Sequence, residues 1–211
     1  MRAIDPEVVK CESIRLIRSW GLPVNEHLPT LETEEELSPQ SAADVARRCM
    51  VIIHVVGIGF GGNTRKLREA VEKYGLMDSA SARERDMLMR DDHSEQEKID
   101  AQWLVECMQS FAWCLGLAPL DPFKECADDL ASKFPDPYTD PSHFIQSAML
   151  RPFEEIYQQA DIHYRLHWAS RNARVSGSAF PIQEGLLQER RRALDWVIGV
   201  EGDWDEVRSD T

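Results

Sequence analysis

Two stretches in the C-terminal third of the chain carry charge on helical faces that are otherwise apolar. At about 100° per residue, Phe153, Ile156, Tyr157, Ala160, Tyr164 and Trp168 align in one stripe, and His167 and Arg171 fall inside it. On a second helix, Ile182, Leu186, Ala193, Trp196 and Val197 form the stripe, with Arg190 near its middle and Glu189 on its shoulder. A charge on a buried face is costly unless it is paired. His167, Arg171, Glu189 and Arg190 are therefore expected to meet one another, or a ligand, between these helices. Two chemistries follow. One is an ion-pair network that fixes how the two helices dock, the commoner use of arginine and carboxylate. The other is a polar pocket in which His167 acts as acid or base and the arginines hold an anionic group. Trp204 suits a plug for the bundle, and Asp205 or the terminal carboxylate suits a partner for Arg190 or Arg171.

The elements that position these residues read as helices throughout. Asp5 and Pro6 open a helix that Gly21 and Pro23 stop. Residues 22–40 are an acidic connector. Ser41 with Asp44 resembles a capping box and begins a helix expected to end near Val56. Asn63 or Thr64 caps a short helix that Gly75 ends. Ser81 with Glu84, and Ser94 with Glu97, are two further capping boxes. The second opens a long helix whose broad apolar face, from Ile99 to Leu115, marks it as central. Five prolines break residues 117–142, leaving a turn or two near Lys124–Ala131; this is the best lid or partner-loop candidate. Pro152 starts the helix of the first stripe, which Gly177 ends. A second stripe on that helix, Ile162, Leu166, Ala169 and Ala173, places it between two neighbours. Pro181 starts the last long helix, and Gly199 and Gly202 end it. Strand-like alternation is nearly absent. The expected class is all-α: one domain spanning residues 1–211, a helical bundle of about seven or eight helices.

Other motifs imitate known sites. Gly57, Gly59 and Gly62 satisfy G-x-G-x-x-G and nearly a phosphate loop. The phosphate loop needs lysine where Asn63 stands, and no second strand exists to complete a parallel sheet. The segment reads as a helix–helix connection with room for close packing. His163 and His167 stand at the i, i+4 spacing that can chelate zinc, but Tyr164 replaces the glutamate of the metalloprotease pattern and no third ligand has a recognisable spacing. His167 is expected hydrogen-bonded in the core and His163 at its edge. No metal and no cofactor is assigned.

The formal net charge is −13 over 211 residues. Duplex nucleic acid and anionic membranes select clustered Lys and Arg, so neither is expected as the main partner. A basic protein partner is compatible with the charge. Five cysteines without C-x-x-C spacing read as small buried hydrophobes of a reducing compartment. The opening residues lead straight into a helix start rather than a leader peptide, and the expected location is the cytoplasm.

Several blocks together resemble a bacterial family, the domain-of-unknown-function family 4272. They are Tyr164-Arg165-Leu166-His167-Trp168-Ala169, Glu189-Arg190-Arg191 with Ala193-Leu194 and Trp196, and Trp204-Asp205-x-Val207 with the ending Asp210-Thr211. Weaker similarity covers Asp44 to Arg48, Trp103 through Glu106 to Gly116, and Leu150-Arg151-Pro152. The resemblance implies a soluble helical protein and supplies no reaction. It marks Arg165, His167, Arg171, Glu189, Arg190 and Asp205 as the candidate pocket. The leading expectation is a non-enzymatic interaction or regulatory module inside the cell, for instance an acidic inhibitor of a basic toxin or nuclease. The alternative is a small hydrolase or ligand-binding protein using that pocket.

Overall fold

In a computed structural model that describes residues 4–207, the chain forms eight α-helices and, among the described residues, no strand. Their starts follow the local signals. Helix α1 (Pro6–Ser19) is capped by the Asp5 carboxylate, which accepts from the Glu7 amide at 3.0 Å. Ser41 caps α2 (Ala42–Gly59), and Asn63 caps α3 (Thr64–Lys73). Complete capping boxes open α4 (Ala82–Met89) at Ser81 and Glu84, and α5 (Glu95–Cys114) at Ser94 and Glu97. Each satisfies amides that a helix end otherwise leaves bare. Then come α6 (Ser142–Ser147), α7 (Phe153–Val175) and α8 (Glu184–Ile198).

Two boundaries differ from expectation. Helix α8 starts after Gln183 rather than at Pro181. Helix α2 does not stop at Val56 but runs through Gly57 to Gly59. The reason is packing. A Cβ on Gly59 would stand 3.0 Å from both the Lys98 carbonyl oxygen and Ala101 Cβ, so the missing side chain lets α5 approach the end of α2. Val51 to Val56 is therefore helix, and the glycines serve contact rather than phosphate.

Helix α5 is central, with α2 on one side and α8 on the other; α7 packs on α8 and α1 on α7. The main core gathers Met50, Val51, Phe111, Ala112, Tyr157 and Trp196. A second apolar cluster, Ile17, Ile162, Leu166, Ile182, Leu186 and Leu187, joins α1 to α7 and α8. Helix α7 is thus apolar on two sides because it lies between two neighbours, as its second stripe implies.

The two long connectors are tied down by hydrogen bonds. In residues 22–40, the Tyr157 hydroxyl donates to the Glu32 carbonyl at 2.8 Å, and the Ser38 amide donates to the Gly199 carbonyl at 3.2 Å. In residues 117–142, only Leu130–Lys133 makes a short 3-10 turn before α6. Gln109 clamps that segment, donating to the Pro119 carbonyl at 2.6 Å and accepting from the Ala127 amide at 3.0 Å. His54 reaches it too, with Nε2 2.9 Å from the Pro137 carbonyl oxygen. The segment is a loop, but one strapped to α5 and α2 rather than a free lid.

Gly199 ends α8 in the left-handed conformation, φ 85°, and a Cβ there would overlap the Ser38 carbonyl. Backbone cannot yield as a side chain can. Gly199→Ala is expected to lower unfolding free energy by at least about 2 kcal/mol, read as a fall in the urea midpoint at unchanged slope.

Candidate functional site

The interior charges of α7 and α8 are paired, but not with one another. The Arg190 guanidinium is buried and donates to Glu106 Oε2 on α5 from Nε at 2.8 Å and Nη2 at 2.7 Å. Its remaining donors reach the carbonyls of Asp121 and Lys124, both at 2.7 Å. The second Glu106 oxygen accepts from the Cys126 amide at 2.9 Å. One arginine thereby joins α8, α5 and the proline-rich loop. Arg165 pairs one turn back on its own helix with Asp161, at 2.8 and 2.7 Å, and donates to the Pro29 carbonyl. Arg191 pairs one turn ahead with Asp195 at 3.0 Å and lies over the Tyr164 ring, 4.7 Å from its centroid.

The expectation that His167, Arg171, Glu189 and Arg190 converge is therefore corrected. Arg171 is exposed. Glu189 does not meet Arg190: its carboxylate accepts from the Cys107 thiol at 3.2 Å and lies 3.8 Å from Arg192. Of the expected set, His167 alone bridges α7 and α8, accepting at Nδ1 from Arg191 Nη1 at 3.3 Å. A guanidinium only donates, so Nδ1 is the acceptor and the ring is neutral. Arg174 and Glu184 add an ion pair at 2.6 Å on the exposed rim. Asp205 pairs with neither Arg190 nor Arg171; it accepts from the Arg83 amide at 3.1 Å. The terminal residues, and with them the terminal carboxylate and Asp210-Thr211, lie outside the described residues.

Burial sets the ionisation of these groups. It pushes the His163 imidazole down to about 4, aided by the Arg190 charge; His163 is fully buried rather than at the core's edge, with Nδ1 2.8 Å from the Gln159 carbonyl. His167 is likewise pushed down to about 4 by burial, then by Arg191. At neutral pH neither is an imidazolium acid. Burial raises Asp195 to about 6 and outweighs the attraction of Arg191. Among the described residues no three His, Cys, Asp or Glu are placed to hold a metal ion. Cys49, Cys107 and Cys114 are buried with their thiols pushed up, while Cys11 is exposed.

Trp204 is buried as the plug its position suggests. Its ring meets Phe111 and Trp196 at centroid distances of 5.8 and 5.9 Å. The Arg48 guanidinium lies over both Trp196 and Trp204 at 5.3 Å, and Arg192 lies over Trp204 at 4.2 Å. Arg48 is neutralised by Glu84, which also accepts from the Ser81 amide in the capping box. The tail is thus fastened against α2, α4 and α8.

Beside this plug, α4, α5 and α8 leave a groove of about 900 Å³. Six carboxylates line it, Glu84, Asp86, Glu97, Asp100, Glu189 and Asp205, against three arginines, Arg83, Arg90 and Arg192. Arg90 is held between Asp86 and Glu97, and Glu97 is drawn down to about 2 by Arg90 and by the Ser94 cap. Trp103 and Met87 supply an apolar wall; Trp103 lies close to the bare backbone of Gly185 and is 37% exposed. Of the expected pocket residues, only Glu189 and Asp205 reach this groove. Trp103 and Glu106 belong to a block marked by family resemblance, but Asp86, Met87 and Asp100 gave no sequence signal. Arg165, which the sequence suited to a carboxylate on a neighbouring helix, pairs instead within its own; the i, i+4 spacing of Asp161 with Arg165 and of Arg191 with Asp195 is the signal that could have pointed to both pairs.

Residues 10–207 match the family described as Domain of unknown function (DUF4272). The chain belongs to that family. No curated protein and no solved structure matches it. No helix among the described residues is long and apolar enough to cross a membrane. The DUF4272 blocks after Leu150 hold the α7–α8 packing, the Arg190 staple and the Trp204 plug. Membership supplies no reaction.

Two outcomes are expected. Arg190→Ala leaves Glu106 buried and uncompensated and should destabilise by about 3–5 kcal/mol, whereas Arg171→Ala should stay within about 0.5 kcal/mol, both by urea unfolding. Acid should also weaken the fold. Below pH 6.5 an unfolded chain protonates both imidazoles, but the folded chain resists down to about 4, so stability falls across that window. Asp195, which protonates near 6 in the fold against 3.8 ordinarily, opposes part of the fall. The net loss between about pH 7 and 4.5 is about 3 kcal/mol. His163→Gln with His167→Gln should remove the loss that these two rings contribute, leaving the opposing slope of Asp195.

Proposed function

We propose that this protein is a non-enzymatic interaction module that binds a basic polypeptide segment in the groove between α4, α5 and α8. One observation carries the reading: carboxylates outnumber arginines two to one along a groove whose wall includes a partly exposed indole. Carboxylates draw lysine and arginine side chains, and an indole face receives their cationic heads and apolar stems. The net charge of −13 adds long-range attraction for a basic partner. An acid–base enzyme at His167 has less support, since that ring is neutral and engaged with Arg191, while Arg171 and Glu189 lie elsewhere.

Fluorescence anisotropy with labelled oligolysine and oligoglutamate tests this reading. Oligolysine should bind, weaken as salt rises, and lose about two- to fivefold in affinity with Asp100→Asn, while oligoglutamate should not bind. Equal binding of both peptides, or an unchanged affinity in the variant, would overturn it.

A further inference from the structure

Two buried carboxylate oxygens of residues that line the groove meet no hydrogen-bond partner. They are Glu84 Oε1 and Asp205 Oδ1. Every other oxygen of the pair is occupied. Glu84 Oε2 accepts from Arg48 and from the Ser81 amide at 2.7 Å, and Asp205 Oδ2 accepts from the Arg83 amide at 3.1 Å. The Glu84 side chain is only 5% exposed. A shielded carboxylate oxygen without a donor is unfavourable, because it has given up water and received nothing in return. The residues that carry them are neighbours in the fold: the Arg83 amide that holds Asp205 belongs to the residue preceding Glu84, and both residues line the groove.

We infer that this pair of carboxylates is a seat for one arginine side chain of the bound segment, its guanidinium donating to Glu84 Oε1 and Asp205 Oδ1. The inference rests on the reading of the groove as a site for a basic segment and names the side chain that anchors it. Guanidinium suits the seat better than ammonium. Its N–H groups are fixed in a plane and fork outward, so one head can serve two acceptors on separate carboxylates, and it sheds water more readily. A metal ion suits it less, since two single oxygens supply no ligand set and the described residues offer no third His, Cys, Asp or Glu.

The test compares heptapeptides that differ only at a central arginine, lysine or citrulline, by isothermal titration against the full chain. Citrulline keeps the shape of arginine and removes its charge. Asp205→Asn keeps an oxygen for the Arg83 amide and puts an NH2 donor where the free acceptor stood; Glu84→Gln does the same beside Arg48. The arginine peptide should bind at least about tenfold more tightly than the citrulline peptide, and Asp205→Asn should erase that difference. Circular dichroism confirms that each variant is folded, and Asp205→Asn serves alone if Glu84→Gln is not. If all basic peptides bind but arginine has no advantage, or Asp205→Asn leaves it intact, the seat is wrong while the groove reading stands. If oligolysine fails to bind but arginine amide still shifts the Asp205 amide resonance in the wild type and not in Asp205→Asn, the seat stands and the groove reading fails. If neither binds, both fall.

Discussion

The structure depends on giving each buried guanidinium group a carboxylate partner. A guanidinium stays charged at any ordinary pH, so burial cannot be relieved by losing a proton. Arg165 and Arg190 are almost fully buried, and Arg48 and Arg191 nearly so. Each has its own carboxylate: Asp161, Glu106, Glu84 and Asp195. Arg190 shows what the requirement does to the fold. Glu106 uses only part of its donor set, and the remainder recruits two loop carbonyls. A proline-rich segment with little secondary structure is thereby held against α5. Arg165 does a smaller version of this for the acidic connector, through the Pro29 carbonyl.

A second consequence concerns the tail. Trp204 is buried among Phe111, Trp196 and the guanidiniums of Arg48 and Arg192. Because Arg48 is on α2 and its carboxylate on α4, the plug, the capping box of α4 and the end of α8 form one assembly. That assembly sets where α4 stands relative to α5 and α8. The groove is the space it leaves. Its carboxylates come from α4, α5, α8 and the tail, and its aromatic wall rests against Gly185, the residue of α8 that has no side chain to intrude.

These placements divide the titratable groups by role. The histidines that α7 carries inward are held neutral by burial, helped by the charges of Arg190 and Arg191. Asp86 and Asp100, on the groove, are by contrast exposed. The DUF4272 match spans residues 10–207, and the staple, the plug and the groove all lie within that span.

The helices were legible in the sequence because their signals are local. Capping boxes at Ser81 and Ser94, the Asp5 and Asn63 caps and the glycines at 21, 75, 177 and 199 act within one turn, and the two stripes of α7 foretold its two neighbours. That α8 would bury Arg190 and α7 His167 was equally legible, since a helical period fixes which side chains share a face. What met them there was not. Glu106 stands 84 positions from Arg190, and no periodicity links α5 to α8. Arg171 illustrates the limit: it lies on the inward stripe, yet the helix is near its end and the residue faces water. The sequence by itself determined the helices, their faces and the need to pair buried charge, all properties of a few neighbouring residues. Only the tertiary structure decided the partners of Arg190 and His167, the strapped loop and the groove, because each joins residues that chain connectivity leaves far apart.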